Sequence, residues 1–72
     1  MSEITELVGF NILIIREKQG LTQEQLGALA GLHRAYIGQI ERGDKNIGLK
    51  NLEKIARALD MSIRVLVHTA HY

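Results

Sequence analysis

The chain has 72 residues, 46% of them apolar, with no cysteine, no proline and a net charge of +1. This is the length of a single domain over 1–72, and the chain is too apolar for a disordered tail. The composition excludes a disulfide frame and a thiolate metal site, no stretch nears the ~20 apolar residues of a membrane span, and no basic-then-apolar leader opens the chain, all of which fits the cytoplasm.

Ile4 to Gln19 is predicted as the first helix. Ile4, Val8, Ile12 and Ile15 recur at helical spacing and form an inward stripe. Leu7, Phe10, Leu13 and Ile14 form a second stripe on the far side, which something must cover. Gly20 marks the end of this helix. Thr22 with Gln25 three residues on is a capping-box pattern that opens a second helix, Gln23 to Ala30. Gly31 ends it, and a third helix runs from Arg34 to Arg42 before Gly43. A fourth covers Leu49 to Leu59, with Leu49, Leu52, Ile55, Ala56 and Leu59 on one face. Asp60 and Ser62 are both placed to cap a short fifth element. That element, Ile63 to His68, is rich in β-branched residues, which suits a strand. A short helix closing the core is the preferred alternative. The expected fold is therefore all-α, with four to five short helices.

Cations gather in the middle. Residues 1–32 set Arg16 and Lys18 against Glu3, Glu6, Glu17 and Glu24. Residues 33–54 set Arg34, Arg42, Lys45, Lys50 and Lys54 against Glu41, Asp44 and Glu53. A basic centre suits a polyanion, and it also suits ordinary solvated surface. The second and third helices sharpen the choice. Two short helices cross steeply only if a tight turn joins them. Gly31 supplies the left-handed angle of such a turn, and Gly27 is the small residue where the helices meet. Leu26, Ala30, Leu32, Ile37 and Ile40 then point inward, which leaves Arg34, Ala35, Gly38 and Gln39 outward and Tyr36 at the edge.

The stretch from Gly20 to Leu32, GLTQEQLGALAGL, and that from Tyr36 to Gly43, YIGQIERG, resemble the Cro/lambda-repressor helix-turn-helix family, also called the XRE family. The resemblance runs from about Gly9 to Leu66. Within it, His33 to Ile47 and Asn51 to Ala56 resemble the small controller proteins of restriction–modification systems. The resemblance implies a lambda-repressor-like DNA-binding domain, bacterial or phage in origin, that regulates transcription as a homodimer on a pseudo-palindromic duplex operator.

Site roles follow from that match. Arg34 takes the first reading position of the recognition helix, where a guanidinium suits guanine, or a phosphate. Ala35 offers a surface for a thymine methyl. Tyr36 touches a methyl or a phosphate, or is buried against the fourth helix. Gln39 pairs with adenine or touches backbone. Thr22, Gln23, His33, Arg42, Lys45, Asn46 and Lys50 are implied phosphate ligands. For Gln23 the plain alternative is a good helix former, and for the basic loop it is solvation. His33 is also the expected N-cap of the third helix. Relatives with polar residues where Ala35 and Gly38 stand read more bases directly, so here more falls to DNA shape. Arg16 and Glu41 match a structural ion pair between the first and third helices. Ile63, Leu66 and Val67 match the dimer interface, which makes 62–72 the expected dimerisation segment, with Leu7, Phe10 and Ile14 as the competing surface.

No Gly-rich phosphate loop, nucleophile–base pair or acidic cluster argues for an enzyme. His68 and His71 lack a third ligand, so no metal is expected. No cofactor or small-molecule ligand is expected either. Two rival readings remain. One is a protein-binding helix-turn-helix module. The other is an antitoxin that holds operator and toxin together.

Overall fold

Short helices are unstable alone and need defined ends and a shared core. The computed structural model, which describes residues 3–68, shows both. Its five helices are α1 (Glu3–Lys18), α2 (Gln23–Ala30), α3 (Arg34–Glu41), α4 (Leu49–Ala58) and α5 (Ile63–Val67), with no strand among the described residues. The four longer helices end alike, in a left-handed residue followed by an amide that bonds back five residues. Gly20, Gly31 and Gly43 fill that place after α1, α2 and α3, with φ of 74°, 71° and 76°. The closing bonds are Leu21 N to Arg16 O, Leu32 N to Gly27 O and Asp44 N to Gln39 O. After α4 the same turn is made by Asp60, at φ 57°, with Met61 N bonded to Ala56 O. Asp60 therefore terminates α4 and does not cap α5. Ser62 holds the N-cap place of α5, but its side chain makes no capping bond.

The core takes Val8, Ile12 and Ile15 from α1, Leu26 and Ala30 from α2, and Ile37 and Ile40 from α3. It is completed by Leu52, Ile55, Ala56 and Leu59 of α4 and its edge, and by Leu66 of α5. α1 lies so close to α3 that a Cβ at Gly9 would overlap the Ile40 carbonyl oxygen. The 63–68 segment is helical over Ile63–Val67, as the preferred alternative has it.

Three apolar assignments change. Ile4 is 54% exposed and Leu49 is 79% exposed, so neither belongs to its inward stripe. Both stand in the first turn of a helix, beyond the end of the packed core. With Val8, Ile47, Leu52 and Val67 they line an open groove of about 290 Å³. Thr5 is buried in place of Ile4, and its hydroxyl lies 2.7 Å from Asn46 Oδ1. Leu66, expected at the dimer surface, has no exposed area and packs in the protomer's own core. Ile63 and Val67, each 37% exposed, remain at the surface.

The second stripe of α1 is partly covered. α5 packs on α1, and Leu7, Leu13 and Ile14 are half-buried while Phe10 stays exposed. Asn11, buried among these apolar residues, donates from Nδ2 to Leu66 O and His68 O. It thereby caps the C-terminus of α5 from α1. His71 and the rest of 69–72, part of the expected dimerisation segment, lie outside the described residues.

Candidate nucleic-acid interface

The Thr22 hydroxyl accepts from Gln25 N at 3.0 Å, and Gln25 Oε1 accepts from Thr22 N at 2.8 Å. This reciprocal box fixes where α2 begins. At its far end a Cβ on Gly27 would overlap the Leu32 carbonyl oxygen. The small residue thus lets the turn itself fold back on α2. His33 then enters α3 in extended conformation, and its Nδ1 accepts from Ala35 N at 3.0 Å. With Nδ1 as acceptor, a neutral imidazole carries its proton on Nε2.

α3 presents Arg34 and Ala35 exposed and Gln39 half-exposed. Arg34 Nη1 lies 3.6 Å from Glu24 Oε2, with both side chains mostly in solvent. Such a pair is weak and screened, so it leaves the guanidinium available to a stronger acceptor. Tyr36 is half-buried between α3 and α4. Its hydroxyl accepts from Asn51 Nδ2 at 3.0 Å, and Lys45 Nζ sits 5.7 Å from its ring centroid. The burial alternative therefore describes the ring, while the hydroxyl hydrogen is left for another acceptor.

Gly38 is not outward. It is buried beneath two long side chains, Gln23 and Arg42. A Cβ at Gly38 would lie 3.2 Å from Arg42 Nη1 and 3.4 Å from Gln23 Oε1. Spacing along α3 correctly directs position 38 away from the core, but the neighbours' side chains cover it. Gln23 Nε2 donates to Glu41 Oε1 at 3.0 Å. The same buried carboxylate takes Arg16 through Nε at 2.6 Å and Nη2 at 3.0 Å. Arg16 also donates from Nη1 to Leu21 O at 2.7 Å. The hydrogen bond to Glu41, outweighing burial, raises the Arg16 pKa and keeps it charged.

The remaining candidates divide. Arg42 Nε pairs with Asp44 Oδ2 at 2.8 Å in an exposed contact, and Lys50 is exposed on the first turn of α4. Asn46 is exposed but engaged with Thr5. Arg34, Ala35 and Gln39 thus share the outer side of α3. Ile63 and Val67 stand on α5, which packs on α1 and α4. Sequence reasoning missed Asn51, Thr5 and Asn11. Each is a polar residue beside apolar positions, and that is the one signal the chain offers. Among the described residues no three metal-ligating side chains cluster, and no helix is long and apolar enough to cross a membrane.

Comparison with known proteins gives a consistent picture. The helix-turn-helix family model HTH_3 matches residues 12–66. The chain is 40% identical over 65 residues to control protein C.SmaI of Serratia marcescens, covering 90% of this chain and 77% of that one. It is 40% identical over 67 residues to control protein C.BamHI of Bacillus amyloliquefaciens, covering 92% and 83%. The crystal structure of the restriction-modification controller protein C.AhdI from Aeromonas hydrophila superposes with a TM-score of 0.84 at 42% identity, covering 86% of this chain and 94% of that one.

Proposed function

The chain belongs to the helix-turn-helix family HTH_3, and from that premise we propose that it is a homodimeric transcription regulator that binds a two-fold-related duplex operator. The family is one of DNA-binding regulators rather than enzymes. The similarity to C.SmaI, C.BamHI and C.AhdI supports the narrower reading that it controls a restriction–modification system.

The observation that carries the reading is the outer side of α3. Arg34 and Ala35 are exposed there with Gln39 beside them, and neither a core contact nor a strong ion pair holds the Arg34 guanidinium. In the major groove that guanidinium donates to guanine O6 and N7, and Ala35 packs on a thymine methyl. Gln39 serves adenine or the backbone. Thr22 and Gln23 at the start of α2 hold a phosphate, as do Arg42, Lys45 and Lys50 after α3. His33 Nε2 and the Tyr36 hydroxyl add a hydrogen bond each. Asn46, turned toward Thr5, contributes through its own amide nitrogen.

A single module buries little DNA surface, and two-fold dimers of such modules read half-sites about 34–36 Å apart. Ile63 and Val67 of α5 supply the apolar surface for that pairing, with Phe10 in the second stripe of α1 as the competing surface. The test is selection from a random duplex pool with the purified protein, followed by sequencing. A two-fold-related motif supports the reading. Binding without a motif, removed by modest salt, sinks it.

A further inference from the structure

Glu41 is a buried carboxylate that serves two other helices at once. Its Oε2 holds Arg16 of α1, and its Oε1 holds both Arg16 and Gln23 of α2. An ionised carboxylate only accepts. The Gln23 amide can therefore face it only through the NH₂ group, and the opposite rotamer would set oxygen against oxygen. The bidentate Arg16 balances the charge of Glu41, so the carboxylate can lie near a phosphate path without a net negative field. Gln23 Oε1, Gln23 Nε2 and Arg42 Nη1 all lie within 3.2–3.6 Å of one point above the bare backbone of Gly38.

We propose that Glu41 is a positioning residue for DNA binding. It fixes the Gln23 amide over Gly38 beside the Arg42 guanidinium, so that the two side chains donate together to one DNA phosphate. The inference rests on the function proposed above. Its physical basis is preorganisation. A free glutamine or arginine side chain loses rotamer freedom when it binds, and a side chain ordered beforehand does not. Arg16 supports the arrangement by anchoring Glu41, and Gly38 by leaving room for both long side chains.

The test measures affinity for the selected operator duplex in two backgrounds. One is the wild-type chain. The other carries Arg16→Met with Glu41→Leu, which replaces the buried ion pair by apolar groups so that the fold is kept, as thermal melting will verify. In the wild type, Gln23→Ala should weaken binding about fivefold, the loss of one hydrogen bond. In the paired variant binding should already be about fivefold weaker, with the operator motif unchanged, and Gln23→Ala should add nothing. Equal losses from Gln23→Ala in both backgrounds would overturn the role of Glu41 while leaving the DNA reading intact. Failure of the wild type to bind any selected duplex would overturn the DNA reading, and the positioning role with it. A second measurement needs no variant. In wild-type protein the Gln23 side-chain NH₂ should give dispersed proton resonances with slowed exchange. Resonances at free-glutamine positions would overturn the proposal.

Discussion

Asn11 Nδ2 lies 2.9 Å from the Leu66 carbonyl oxygen, across 55 residues of chain, and 2.9 Å from the carbonyl of His68. One side-chain amide therefore finishes a five-residue helix that is too short to hold itself. Removing it takes this donor from two carbonyls, in one buried and one part-buried bond. Asn11→Ala should cost about 2–3 kcal/mol, seen as a lower urea midpoint at an unchanged slope.

The neighbouring residues of α5 should separate folding from assembly. Leu66→Ala empties a core position and should cost about 2–5 kcal/mol of stability. Ile63→Ser with Val67→Ser alters surface that is already partly wet. It should leave protomer unfolding nearly unchanged and shift the sedimentation coefficient from dimer to monomer at micromolar concentration. A double variant that still sediments as a dimer would place the interface elsewhere, with Phe10 of α1 the next residue to change.

Asp60 makes the left-handed turn that glycine makes after α1, α2 and α3. A side chain in that conformation costs about 1–2 kcal/mol, offset in part by the greater freedom of glycine in the unfolded chain. Asp60→Gly should therefore raise stability by about 0.5–1 kcal/mol. Calorimetry should show a melting temperature several degrees higher.

Lys50 is exposed and Lys45 rests on the Tyr36 ring. Lys50→Ala should weaken binding to operator and to unrelated duplex alike, and lower the salt slope by about 1. Lys45→Ala should do the same and also loosen Tyr36. Affinity titrations at several salt concentrations check both.

Much of this site was legible in the chain because its signals are local. Thr22 with Gln25, and Gly31 with its left-handed turn, mark the bounds of α2 to the residue. Other features depended on distant parts. Periodicity assigns Leu49 and Ile4 to a face but cannot say that the core ends before their turn of helix. Leu66, Ile63 and Val67 read alike as apolar residues of a short segment, and only the packing of α5 on α1 and α4 divides them. Position 38 faces away from the core by spacing, yet the reach of Gln23 and Arg42 buries it. Asn11 stands among isoleucines and leucines with nothing nearby in sequence to show which carbonyls it meets.

Whether α3 reads duplex DNA through Arg34 is decided by repeating the duplex selection with Arg34→Ala. The two-fold motif should survive but relax at one base pair per half-site, with affinity for the original operator reduced by about 1–3 kcal/mol. A motif unchanged at every position, with only a uniform loss of affinity, would show that Arg34 grips the backbone and that base reading lies elsewhere.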